Sequence, residues 1–158
     1  MAVLGEFHAE LGQLVFQFEG TLERFAGDAL MIFFNDPFPC PDPALRAVQM
    51  ALAMQQRIAD LSVGWRRRGH ELALGIGIAL GYATLGRIGF EGRFDHGAVG
   101  SVVNLAARLC GEARGGQILL GPSAFAAVEA SVVAEPLGEL NLKGFQRPVP
   151  AFVVTNTR

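Results

Sequence analysis

From Leu72 to Ala83 large residues alternate with small ones without a break. Leu72, Leu74, Ile76, Ile78, Leu80 and Tyr82 fall on every second position, and each position between holds Ala or Gly. A period of two is that of a β-strand, with the bulky side chains turned to one face of the sheet. The opposite face has nothing larger than a methyl group, so a backbone, a helix or a partner can approach it closely. A chain with such a strand needs an element to cover it.

The stretch Asp95 to Leu109, DHGAVGSVVNLAARL, contains a good candidate. Gly97 and Gly100 break what precedes them. After them Val102, Leu105, Ala106 and Leu109 recur at three- and four-residue spacing, which predicts a helix with one buried face. Asn104 and Arg108 interrupt the apolar pattern four residues apart, so on a helix they project side by side. Asn supplies a donor and an acceptor, and Arg a fixed fork of donors that keeps its charge. The pair suits a ligand with a sugar hydroxyl and a phosphate; it also suits the rim of a core-packing helix.

The chain before the strand reads as helix, hairpin, helix. Val3 to Phe18 places Leu4, Phe7, Leu11, Leu14, Val15 and Phe18 on one helical stripe, with no capping residue at its start. Thr21 to Phe25 and Ala29 to Phe34 are apolar runs separated by Ala26-Gly27-Asp28, a hairpin signal. A turn Asp commonly satisfies its own backbone. A carboxylate held at a hairpin tip also suits Mg²⁺, which takes one or two carboxylates plus substrate phosphates. After a proline-rich loop, Asp42 and Pro43 predict a helix start. Ala47, Ala51, Met54, Ile58, Leu61 and Trp65 then share a face, and Arg66-Arg67-Arg68-Gly69 reads as a C-terminal arrangement of cations and glycine rather than a basic patch.

Beyond the central strand, Gly81 to Arg87 has the outline of a phosphate loop, but Arg87 and Ile88 stand where Lys and Ser or Thr would touch phosphate and metal. Gln117–Leu120 and Val132–Leu140 read as strands and Ser123–Val128 as a short helix. Leu142 to Phe145 and Val149 to Val154 are expected to complete a final hairpin.

Composition removes several classes. The 158 residues are 51% hydrophobic with a net charge of −2, enough for one domain with a core and too balanced for a phosphate-driven nucleic-acid binder. Charged residues and glycines punctuate every apolar segment, so no membrane span is expected, and no signal peptide is evident. Cys40 and Cys110 lack metal-type spacing, and free thiols in a reducing cytoplasm are expected.

Three stretches together resemble the class III nucleotidyl cyclases, the catalytic domains that convert ATP or GTP into the 3′,5′-cyclic monophosphate. Val-Gly-Ser-Val-Val-Asn-Leu-Ala-Ala-Arg-Leu, from Val99, is similar to their signature helix. Gly-Thr-Leu-Glu-Arg-Phe-Ala-Gly-Asp-Ala-Leu-Met, from Gly20, resembles their second motif, and Glu-Pro-Leu-Gly-Glu-Leu-Asn-Leu-Lys-Gly-Phe, from Glu135, their C-terminus. The resemblance covers essentially the whole chain. It implies an α+β domain over residues 1–158, with a ferredoxin-like, palm-type sheet that is mixed but mostly antiparallel and has helices packed on it.

The resemblance also implies roles. Asn104 positions the nucleotide, Arg108 stabilises charge on the phosphate, and Asp28 falls on the second metal-binding Asp of a two-metal Mg²⁺ or Mn²⁺ site. Lys143 contacts the triphosphate. Arg24 stands where the family's Lys meets the purine, and Gly97 where an Asp or Thr reads it. The family works as a head-to-tail dimer whose sites are shared between protomers. Its first strand, with the other metal Asp, and the helix start that holds the triphosphate have no counterpart in these residues. Two functions follow as expectations: a cyclase domain silent by itself for want of one metal ligand, or a dimerisation module that keeps the fold without the chemistry.

Overall fold

The computed structural model describes residues 2–26, 29–34, 42–69, 73–81 and 94–158. These contain four helices and six strands: α1 (Ala2–Gln17), β1 (Thr21–Ala26), β2 (Ala29–Phe33), α2 (Pro43–Arg67), β3 (Ile76–Ile78), α3 (Phe94–Glu112), β4 (Ile118–Leu120), α4 (Pro122–Val128), β5 (Val132–Leu140) and β6 (Val149–Thr157). They divide into two compact units, Met1–Leu74 and Gly75–Arg158. Three of the four strand pairings, β1 with β2, β4 with β6 and β5 with β6, are antiparallel, and β3 with β4 is parallel. The architecture is α+β, as expected.

In the first unit α1 packs on α2 through the predicted stripe. Phe7, Leu11, Leu14 and Val15 are buried, as are Val48, Ala51, Met54, Ile58 and Trp65. Val48, which the sequence pattern does not place on that face, is completely buried, while Ala47 is half-buried. The Trp65 indole packs tilted on the Phe7 ring, 6.2 Å between centroids. Its Nε1 donates to Glu6 Oε1 at 2.8 Å, and Arg68 Nη2 donates to the same oxygen at 2.9 Å. Those two hydrogen bonds, the Trp65 one first, hold the Glu6 carboxyl below the usual carboxylate range. Arg68 is therefore tied to α1, while Gly69 takes a left-handed φ of 84° just past the helix, the C-terminal arrangement the sequence predicts.

The helix start expected at Asp42 and Pro43 is found. Asp42 stands at the N-cap of α2 with Pro43 after it, but its side chain caps nothing. Its backbone is left-handed (φ 48°, ψ 58°), whereas a side-chain cap is made from an extended N-cap residue.

β1 and β2 form the predicted hairpin, paired from Thr21↔Phe33 to Ala26↔Ala29, with an irregularity between Leu22 and Arg24. Asp28 lies outside the described residues.

In the second unit the strand order is β3-β4-β6-β5. Parallel strands need a crossover connection, and α3 lies on the path from β3 to β4. The regular strand described is Ile76–Ile78, shorter than the alternation from 72 to 83; residues 82–93, which hold most of the phosphate-loop outline, lie outside the described residues. The small-residue face behaves as its composition requires. A Cβ built on Gly77 would come within 2.4 Å of Cys110 N and 2.5 Å of Ala106 O, both backbone atoms of α3. The helix covers β3 at backbone contact distance.

A paired substitution tests this packing. Gly77→Ala is expected to destabilise the fold by about 1–3 kcal/mol, because the added methyl meets helix backbone that has no rotamer to change. Gly111→Ala, in the same helix with nothing within 4 Å of its added Cβ, is expected to stabilise by up to about 1 kcal/mol from helix propensity alone. Urea midpoints of the two variants should move in opposite directions; a neutral Gly77→Ala would mean that helix and strand are not in close contact.

Two boundaries differ from expectation. α3 begins at Phe94, so Gly97 and Gly100 lie inside it rather than breaking it. Gly in a helix costs only about 1 kcal/mol relative to Ala, and it permits the helical backbone as readily as any other. Secondly, Leu142–Phe145 is not a strand of the final hairpin. β6 pairs with β5 along its whole length, from Val132↔Thr157 to Leu140↔Val149, and Leu142–Phe145 belongs to their connection. Gly144, at φ 90°, and the bond from Phe145 N to Leu142 O at 3.0 Å make a tight turn there.

Candidate functional site

The second unit has an open cleft of about 750 Å³ between α3 and the β5–β6 connection. Asn104, Arg108 and Lys143, three residues the sequence singles out, all line it. Gln146 and Arg147, which no sequence motif singles out, line it too.

The same hydrophobic cluster sets both walls. Leu109, Leu119, Leu142 and Ala151 are buried together, with Leu105, Phe145 and Val149 packed against them. The polar cleft residues lie within two positions of that cluster in the chain. Asn104 precedes Leu105 and Arg108 precedes Leu109 on α3; Lys143 follows Leu142 and Gln146 follows Phe145; Arg147 stands two before Val149. Leu109 and Leu142 are buried, Phe145 and Val149 are half-buried and line the cleft themselves, and the polar residues beside them are exposed. Burial of the cluster positions the polar groups.

The charge is one-sided. Arg108, Lys143 and Arg147 line the cleft, and among the described residues no Asp or Glu does. Among the described residues none of these three cations forms an ion pair. Three cations in one concavity, without ion pairs among the described residues, have the charge and donors that suit a polyanion.

The corrected start of α3 adds Gly97 to the picture. It lies seven residues before Asn104 and eleven before Arg108, close to whole turns of a 3.6-residue helix, so the three Cα positions share one stripe. Over seven residues the helix rises about 10 Å.

The remaining expected residues fall in the first unit. Arg24 is on β1, opposite Met31. Asp28, the expected metal ligand, is outside the described residues, and among those that are described no group of three His, Cys, Asp or Glu could hold a metal ion. No helix among the described residues is long and apolar enough to cross a membrane.

Lys143 and Arg147 share a signal that could have found them together. They are four apart, between the apolar positions Leu142, Phe145 and Val149, beside Gly144 and Pro148. The pattern of inward anchors separated by cations is present in the sequence, but an expected strand over Leu142–Phe145 hides the loop that presents them.

Comparison with known proteins gives a consistent picture. The family model for the adenylate and guanylate cyclase catalytic domain matches residues 1–156. An uncharacterized protein of Mycobacterium tuberculosis is 34% identical over 153 residues, 93% of this chain and 27% of that protein. Adenylate cyclase 1 of Rhizobium meliloti is 30% identical over 147 residues, 91% of this chain and 22% of its own. The chain thus spans about a quarter of the length of the curated relatives it matches. Among solved structures, the adenylyl cyclase CyaB from P. aeruginosa superposes with a TM-score of 0.87 at 32% identity, covering 99% of this chain and 82% of that one.

Proposed function

The chain belongs to the adenylate and guanylate cyclase catalytic domain family, and on that premise we propose that, joined to the family's first metal-binding strand and paired with a second cyclase domain, it forms cyclic AMP from ATP, with cyclic GMP from GTP the lesser activity. The observation that carries this reading is the convergence of Asn104, Arg108 and Lys143 on one cleft that no carboxylate lines among the described residues. The preference for ATP is supported by two similar proteins that are adenylyl cyclases.

The reaction forms a bond from the ribose 3′-oxygen to the α-phosphorus and breaks the bond from that phosphorus to the β-phosphate bridge. Pyrophosphate leaves with the electron pair, and the 3′-hydroxyl proton passes to solvent. The protein's share is positioning and charge neutralisation. Asn104 orients the nucleotide through its amide. Arg108 donates to the α-phosphate oxygens, where charge is redistributed in the transition state. Lys143 holds the triphosphate. Arg24 meets the purine, and Gly97 leaves the base edge without a side-chain partner.

The carboxylate of Asp28 has the hard-oxygen chemistry that Mg²⁺ or Mn²⁺ prefers. Such a metal pair would supply activation of the attacking hydroxyl and a clamp on the phosphates. The reading places the chain in a dimer with a second copy or a related cyclase domain, in the cytoplasm, without nucleic acid.

The test is turnover of ATP and GTP by the chain extended at its N-terminus with a family first strand carrying the other metal Asp. Cyclic AMP formation that requires Mg²⁺ or Mn²⁺ is expected, with an ATP-over-GTP preference of no more than about a hundredfold, since a site lacking a hydrogen-bonding partner for the base discriminates weakly. Asp28→Ala should abolish it. Activity that survives Asp28→Ala with its metal dependence unchanged returns Asp28 to an ordinary turn residue.

A further inference from the structure

We infer that Arg147 is a second phosphate-binding residue of this cleft, gripping the β- and γ-phosphates of the nucleotide and then the departing pyrophosphate. This rests on the proposed function above. Three observations carry it. Arg147 lines the same cleft as Asn104, Arg108 and Lys143, with no carboxylate among the described lining residues to neutralise it. It makes no ion pair among the described residues. Its backbone is held on both sides.

The third point distinguishes Arg147 from an ordinary surface arginine. On one side Phe145 packs against the core cluster and donates its N–H to Leu142 O at 3.0 Å. On the other, Pro148 restricts the Arg147 backbone to extended conformations, and Val149 enters β6 opposite Leu140. A loop anchored at Leu142, Phe145 and Val149 presents Lys143 and Arg147 from one wall, while α3 presents Arg108 from the other.

The division of labour follows from chemistry. A nucleoside triphosphate carries several negative charges near neutral pH, more than Arg108 and Lys143 together offset. Arg147 adds a permanently charged planar fork able to bind two phosphate oxygens at once, which the ammonium of Lys143 cannot do. When the bond to the α-phosphorus breaks, negative charge accumulates on the pyrophosphate. A cation already placed on the loop wall stabilises that charge without moving. Arg147 binds; no atom or electron passes through it.

The test is binding, measured by calorimetric titration of the 158-residue chain with pyrophosphate, ATP and AMP. EDTA is present so that only the protein's own cations bind phosphate. Arg147→Gln is expected to weaken pyrophosphate and ATP binding at least tenfold and to leave AMP binding unchanged, and Arg147→Lys should recover part of the loss. Arg114→Gln removes the same charge from an exposed position outside the cleft and should change nothing. If Arg147→Gln binds ATP as the unmodified chain does, while Arg108→Ala and Lys143→Ala lose it, the inference fails and the proposed function stands. Equal weakening by Arg147→Gln and Arg114→Gln overturns the inference as a bulk charge effect. If the unmodified chain binds neither ATP nor pyrophosphate, the inference fails, and the proposed function is decided separately by metal-dependent turnover of the extended chain.

Discussion

Arg108→Ala, made in the extended chain, should lower cyclic AMP turnover by roughly 10²–10³, the usual effect of removing one preorganised donor aimed at transition-state charge. The fold should survive the change. Arg108 is exposed and makes no ion pair among the described residues, whereas the neighbouring Leu109 is fully buried and holds the helix to the sheet. Substituting Arg108 removes a charge from the cleft and leaves the anchor in place. The loss should therefore appear in kcat more than in KM, because an interaction stronger in the transition state than in the ground state lowers the chemical step itself. Arg108→Lys should recover little, since an ammonium cannot reproduce the guanidinium fork. A loss under about tenfold, with the thermal midpoint unchanged, would make Arg108 a rim residue and remove the main catalytic assignment.

Arg108 and Arg147 differ in how far the sequence alone reveals them. Arg108 stands out because it breaks a helical pattern, and the helical period by itself fixes which residues share its face. β3 is legible for the same kind of reason: alternation with glycine requires a close neighbour, and the neighbour is the backbone of α3 at Gly77. Arg147 lies in a loop, where no period operates. Its placement depends on Leu142, Phe145 and Val149 being anchored to a cluster assembled from α3, β4 and β6. That is a long-range fact which local pattern does not carry. The start of α3 departs from the pattern because glycine permits a break without enforcing one, and packing further along the helix decides the matter. The start of α2 at Asp42 and Pro43 is legible, while the left-handed backbone of Asp42 is not, because residue type constrains a single dihedral only weakly.

The proposed sharing of sites between protomers makes a stricter demand, through mixing. The 158-residue chain carries Arg24, Asn104 and Arg108 for one half of a site, but among its residues Asp28 alone matches a metal ligand of the other half. By itself it should form no cyclic nucleotide. The extended chain with Arg108→Ala has both metal carboxylates and a disabled phosphate half, so it should be silent, or nearly so, as well. In a heterodimer of the two, one site takes its metal carboxylates from the extended chain and its Asn104 and Arg108 from the short one, and that site is complete. The other site lacks both a carboxylate and Arg108. Mixing two silent proteins should then restore up to one working site per heterodimer. The restored rate should rise with the concentration of the short chain and saturate, as binding to a limiting partner requires. Changing Asn104 or Arg108 to Ala in the short chain should abolish the recovery, and changing Asp28 there should leave it intact, because the short chain's own metal half is not used. That last contrast separates a shared site from simple stabilisation of the extended chain by a folded partner, which neither substitution would affect differently. A mixture that remains silent although the two chains associate in sedimentation would rule out the shared site and leave the fold serving as a dimerisation module.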